Sequence, residues 1–262
     1  MIELLRRNPH KIPKLTSPSN PSSHTIILGT VPPLENLWMT MKSIITLFVT
    51  ALAAAIPLCA SAAQTDVALS AYGALNTTTN TSNGLTQTPA NSIGGMIELR
   101  HISKPWIGYE ASYSMNRANQ SYSNPIACPG ASCPLSPYSA SVSANASEIT
   151  GDWVFSVKTK RFRPFALAGA GVILNTPTKG TVYSYSLAAN PAFQSTTAPT
   201  SSATKPVLVL GFGLDWSIFP HLGLRFQYRD NLYTAPALTT AIGSTNALSE
   251  TQGPVIGAYY SF

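Results

Sequence analysis

The chain has 262 residues, 44% of them hydrophobic and only 10% charged, with a formal net charge of +6. So little charge beside 21 prolines and 17 glycines suits neither a helical bundle nor a typical cytosolic enzyme. No run of about 18 apolar residues is present, which argues against helical membrane spans.

Residues 1–40 are rich in proline and show no sustained period, and are expected to be an over-extended start or a disordered extension. A better start follows at Met41. Lys42 supplies a positive head, Ile44 to Leu58 an apolar stretch, and Ala60-Ser61-Ala62-Ala63 a small-residue cleavage site. Residues 41–63 therefore read as a secretory signal peptide, cut after Ala62 or Ala63. The remaining chain, 64–262, carries 11 basic and 8 acidic residues. It has no Lys/Arg stripe, so no nucleic-acid partner is expected. Cys59 lies in the apolar stretch, and Leu58 and Ile56 before it do not make a lipidation signal. Cys128 and Cys133 bracket four residues, and an exported chain can oxidise them to a disulfide. Metal binding there would need further ligands nearby, and no metal or other cofactor is expected.

From Gln64 onward, period-two segments alternate with linkers, as strands with two distinct faces do. The first, about Asp66 to Asn76, sets Val67, Leu69 and Ala71 against Asp66, Ser70 and Tyr72. A Thr/Asn/Gly loop leads to the second, Ser92 to Ile102, where Ile97 and Leu99 oppose Glu98 and Arg100. After Ser103-Lys104-Pro105 the third sets Ile107, Tyr109, Tyr113 and Met115 against Glu110, Ser112 and Ser114. A long polar loop with the cysteine pair is expected to run to about Ala144. The fourth sets Ile149, Trp153, Phe155 and Val157 against Glu148, Thr150, Asp152 and Lys158. A basic turn with Lys160 and Arg161 follows, and Arg163 reads as part of that solvated rim. The fifth, Phe162 to Leu174, is small and apolar on both faces, so its inner face is ambiguous. A Ser/Thr/Ala/Pro loop reaches the sixth, where Leu208, Leu210, Phe212 and Trp216 oppose Val207, Val209 and Asp215. Past Phe219-Pro220-His221, the seventh sets Leu222, Leu224, Phe226 and Tyr228 against Arg225, Gln227 and Arg229. A last loop, about Asn231 to Ser249, leads to the eighth, where Ile256, Ala258, Tyr260 and Phe262 share one apolar face.

Three short and four long connections alternate strictly along this count of eight. The pattern predicts an all-β fold, an eight-stranded antiparallel up-and-down transmembrane β-barrel with one tight rim and one elaborated rim. The signal peptide, the segment Gly223 to Arg229 and the terminal Tyr260-Ser261-Phe262 resemble the small eight-stranded bacterial outer-membrane β-barrels, such as the outer membrane protein A barrel and the opacity-type surface proteins. The resemblance implies short periplasmic turns, long extracellular loops and residence in the bacterial outer membrane. It implies that Ile256, Ala258, Tyr260 and Phe262 are an assembly signal, and that chaperones and the barrel-assembly machinery are partners during biogenesis. Outer-membrane lipids and lipopolysaccharide would surround a monomeric barrel.

The charges fall where such a barrel would hold them. Asp66, Glu98, Arg100, Glu110, Glu148, Asp152, Lys158, Asp215, Arg225 and Arg229 lie on the predicted inward faces, since a charge facing lipid at midplane costs about 2–4 kcal/mol. Eight strands enclose only enough space for side chains, so an ion-paired plug is expected, with a narrow gated ion path as the sharper reading. Aromatic girdles are expected from Trp106, Phe162, Trp216, Phe219 and Phe262 at the short-turn rim, with Tyr113 and Tyr233 toward the loops. Two alternatives differ in class. A lipid-modifying enzyme would want His beside Ser near the outer leaflet, whereas His101 and His221 map to the short-turn rim. A soluble lipocalin-like barrel would turn its apolar faces inward.

Overall fold

The structure, a computed structural model, describes residues 64–82, 84–104, 106–124, 136–185 and 193–262. The expected extension 1–40, the expected signal peptide 41–63, and Cys59, Cys128 and Cys133 with their expected disulfide lie outside the described residues. Eight long strands form the wall: β1 (Gln64–Asn76), β4 (Ser92–Lys104), β5 (Ile107–Ser123), β6 (Ser136–Ser156), β7 (Phe162–Tyr185), β9 (Ala203–Ser217), β10 (Leu222–Thr234) and β11 (Leu248–Ser261). Three short ones, β2 (Thr79–Asn80), β3 (Thr86–Pro89) and β8 (Phe193–Thr197), decorate the long loops.

Each long strand pairs antiparallel with its neighbour in sequence. The ring closes where β1 meets β11, with Asp66 opposite Ser261 and Tyr72 opposite Val255. Closure leaves the wall without a free edge. The tight turns after β4, β6 and β9 share one rim with the start of β1 and the end of β11. Phe262 stays in the ladder there, its amide donating to Thr65 O at 2.9 Å.

The alternation of the sequence decides which way each strand faces. Outward, Leu69, Ile97, Tyr109, Trp153, Phe212, Phe226 and Ile256 are exposed, at 69%, 46%, 48%, 60%, 63%, 40% and 55%. So continuous an apolar band has no place on a soluble monomer. Polar inside and apolar outside is the reverse of a soluble ligand-binding barrel. The belt of Trp106, Phe162, Trp216, Phe219, Tyr260 and Phe262 is exposed at the short-turn rim. Tyr233 departs from the expectation: it points inward, 7% exposed, and its hydroxyl meets Thr251 Oγ1 at 2.9 Å.

The fifth segment, ambiguous in sequence, turns Arg163, Phe165, Leu167 and Ile173 inward. Phe165, Leu167 and Ile173 make one apolar wall of the lumen with Val154, Val207 and Val209. Glycine shapes this wall at Gly213, where a Cβ would strike the Phe165 ring.

The strands also run much further than the sequence pattern indicated. The stretch expected to be loop up to Ala144 is largely strand, since β5 continues to Ser123 and β6 starts at Ser136. β7 is 24 residues long, against about 9–11 for a tilted crossing of the hydrocarbon. The reason lies beyond the membrane band. Inward Tyr122, Val142 and Val182 of these extensions close around Leu238 and Ile242 of the loop between β10 and β11. Gln87 and Tyr122 bind that loop through Pro236 O and Leu238 N, and Gln120 Oε1 accepts from both of them. The long-loop mouth is thereby capped by the chain itself.

An interior ion-pair network as the candidate functional site

The barrel register lines up the charged residues before any side chain is considered. Across the wall, Asp66 faces Arg100, Arg100 faces Glu110 and Glu110 faces Asp152. On the other side, Arg163 faces Asp215 and Asp215 faces Arg225. Directly opposed opposite charges stabilise a strand pair; the one like-charged pair, Glu110 and Asp152, is bridged by Arg229, and all of these side chains point into the lumen. Gly169, opposite Asp152, leaves the carboxylate its place, because a Cβ would collide with it.

Arg225 is the hub. It is fully buried and lies 2.8 Å from Asp215 Oδ1, 3.5 Å from Glu110 Oε2, 3.6 Å from Glu98 Oε1 and 3.9 Å from Asp66 Oδ2. Arg100, also fully buried, places Nη2 2.6 Å from Glu110 Oε2 and Nη1 3.0 Å from Asp215 Oδ2. Its guanidinium stacks on Phe165 with 3.9 Å to the ring centroid. Arg229 reaches Glu110 Oε1 at 3.2 Å and Asp152 Oδ2 at 3.0 Å, and donates to Thr150 Oγ1 at 2.9 Å. Hydroxyls complete the shell: Ser70 Oγ donates to Glu98 at 2.7 Å and Ser112 meets Thr150 at 2.7 Å. The Gln227 amide, turned so that both ends are satisfied, donates to Glu98 and accepts from Arg229 at 3.2 Å each. Charges withdrawn from water this far persist only when paired and hydrogen-bonded.

The structure thus brings Asp66, Glu98, Arg100, Glu110, Asp152, Asp215, Arg225 and Arg229 into one connected cluster. Glu148 stands above it, buried, accepting two bonds from Asn231 Nδ2 at 3.0 and 2.9 Å. Lys158 does not join. β6 ends at Ser156, so the alternation no longer governs Lys158, which is exposed and donates to Gln64 Oε1 at 3.2 Å. Arg163 does join, contrary to its reading as a solvated turn. β7 begins at Phe162, so Arg163 already points inward; it is 7% exposed and pairs with Asp66 at 3.2 Å. The period of Arg163, Phe165 and Leu167 carried that signal.

Between the network and the cap, Tyr72, Glu148, Asn175, Asn231 and Tyr233 border a cavity of about 30 Å³, room for about one water. Above it, in the part of β5 beyond the apolar band, burial pushes the Tyr122 hydroxyl up to about 12, so it stays protonated and available to the loop. His101 Nδ1 lies 3.0 Å from Thr65 Oγ1, and His221 Nδ1 2.9 Å from Ser261 O, both at the short-turn rim. Among the described residues, no group of three His, Cys, Asp or Glu is placed to hold a metal ion.

The family model described as outer membrane protein beta-barrel domain matches residues 47–262. Among solved structures, the chain is similar to Ail, the attachment invasion locus protein of Yersinia pestis, at 15% identity over 76% of this chain and 99% of that one, with a TM-score of 0.41. It is similar to Neisserial surface protein A at 15% identity over 77% and 100%, with a TM-score of 0.42. The outer membrane protein OprG from Pseudomonas aeruginosa gives 13% identity over 77% and 96%, with a TM-score of 0.44. No curated protein matches the sequence. With its family match covering most of the chain and a closed eight-stranded ring turned apolar side out, the chain belongs to the outer membrane protein β-barrel family.

Proposed function

We propose that this protein is a structural, surface-exposed barrel of the bacterial outer membrane, closed to ion flow, whose specific work lies in its extracellular loops. In this reading residues 41–63 export the chain, the short turns face the periplasm and the long loops face outward. Outward Ile256, Ala258, Tyr260 and Phe262 serve the assembly machinery; normal outer-membrane levels of a Phe262→Asp chain would remove that role. Outer-membrane lipid and lipopolysaccharide surround the barrel.

The observation that carries the proposal is the buried cluster around Arg225, whose contacts run across the lumen from β10 to carboxylates on β1, β4, β5 and β9, all of them shielded from solvent. One feature favours a second reading, a narrow gated path. Arg225 has four carboxylates within 4.0 Å and shares Asp215 and Glu110 with Arg100, so a change of partners breaks few contacts at once. Planar-bilayer recordings on purified protein separate the two. A plugged barrel gives a silent trace across applied voltage, and discrete current steps from the wild-type protein would replace the plug with the gate.

A further inference from the structure

The outward face of the wall made by β5, β6 and β7 changes character within one residue step. Along β5, Ile107, Tyr109, Ala111, Tyr113 and Met115 lie on the short-turn side of Arg117, and Asn119, Ser121 and Ser123 beyond it. Along β6, Ile149, Trp153 and Phe155 give way to Ser147, Asn145 and Ser143. Arg117 is exposed at this boundary, about ten residues from Ile107, the length a tilted strand needs to cross hydrocarbon.

A register shift brings a second cation to the same place. Ala144 pairs with Pro177 but Ser143 with Lys179, so Thr178 is an extra residue in β7. Before the shift Ile173 and Asn175 face the lumen; after it Val182 and Ser184 do. Were Thr178 paired with Ser143 in regular register, Lys179 would stand opposite inward Val142 and point into the lumen. With Thr178 as the extra residue, Lys179 is outward and exposed, the kind of re-aiming that bulges produce. Thr178 also holds the arginine: Arg117 Nη2 reaches across β6 to donate to Thr178 Oγ1 at 3.3 Å, and Thr178 Oγ1 donates to Ser143 O at 3.2 Å. Among the described residues, the outward faces of β5, β6 and β7 carry no Asp or Glu. The outward carboxylates, Asp230 and Glu250, belong to β10 and β11. The two cations therefore have no compensating charge on their own wall.

We infer that Arg117 and Lys179, set side by side by the Thr178 bulge, are a docking site for the phosphate groups of the phosphorylated glycolipid in the outer leaflet. A guanidinium fork and an ammonium suit phosphate oxygens. Met115 and Leu174, 51% and 38% exposed just toward the apolar band, offer a surface for the acyl chains of the same molecule. A free phosphate would use only the cations. The inference rests on the proposed orientation, with the long loops on the outer-leaflet side.

Native mass spectrometry of the protein in phosphatidylcholine nanodiscs, titrated with lipid A bearing two, one or no phosphates, tests it. Each cation near an anionic surface is worth about fivefold, so Arg117→Gln with Lys179→Gln should weaken binding of bis-phosphorylated lipid A about 30-fold. Binding of the dephosphorylated form should not change. Thr178→Val, which keeps the ladder and removes the tether, should give a several-fold loss even where the double variant folds poorly. Lys104→Gln with Lys160→Gln, at the opposite rim, should have no effect. Equal binding by the Arg117/Lys179 double variant and the wild-type protein overturns the site, as does displacement of bound lipid A by millimolar inorganic phosphate. A chain that fails to stay in nanodiscs would instead contradict the membrane reading.

Discussion

Arg225→Met is the sharpest test of what holds this barrel together. Methionine keeps much of the side-chain stem but removes the charge that Asp215, Glu110, Glu98 and Asp66 share within 4.0 Å. Taking one partner from a buried ion pair costs about 3–5 kcal/mol, because the remaining charge is stranded. Arg100 also contacts Asp215 and Glu110 and offsets part of that, which places the expectation near the lower figure, about 3 kcal/mol. That is roughly a 150-fold shift in the unfolding equilibrium. Arg225→Lys retains the charge and loses the fork, and should cost less, about 1–2 kcal/mol. Equilibrium denaturation in lipid vesicles reads both, using fluorescence of the outward Trp106, Trp153 and Trp216, 56%, 60% and 38% exposed on the lipid-facing side. A loss below about 1 kcal/mol for Arg225→Met would refute the reasoning: the carboxylates would then be neutralised by some other means.

Two further outcomes follow from the same geometry. Arg163→Gln should lower stability by about 1–3 kcal/mol through Asp66, whereas Lys158→Gln should stay within about 0.5 kcal/mol, measured in the same vesicles; equal effects would contradict the placement of both residues. Leu238→Ala, at a fully buried position in the cap, should loosen the loop between β10 and β11 by about 2–5 kcal/mol. Limited proteolysis should then cut that loop while the barrel stays intact, and an uncut loop would mean the cap is held by its hydrogen bonds alone.

Much of the wall was legible because the chemistry alternates with the pleat. Wherever one face is apolar and the other charged, as from Ile107 to Met115, the strand and its orientation follow from period two alone. The signal fades in two places. In the extensions of β5, β6 and β7, Ser, Thr, Asn and Ala occupy both faces, so the alternation of Tyr122, Val142 and Val182 is hidden among residues equally at home in a loop. At strand ends the period gives no warning of where pairing stops, and a single residue decides whether Lys158 or Arg163 is inside. The bulge at Thr178 is invisible for the same reason: it is a property of two strands in register, not of one. Which carboxylate meets which arginine is likewise set by the stagger around the ring, which joins residues far apart in sequence, such as Arg100 and Asp215.

The seam between β1 and β11 has a consequence for how the chain can come to be folded. Its partners lie 175 to 195 residues apart, from Asn76 and Thr251 to Asp66 and Ser261, so the edge of β1 stays open until nearly the whole chain is available. In water that edge is a template for wrong pairing; in lipid each of its unpaired amides and carbonyls costs several kcal/mol. A chain stopped short of Leu248 would therefore have two raw edges and no partner for either. Partial barrels have no resting place in either solvent, so insertion and seam formation have to coincide, and the first strand needs shelter until the last one arrives.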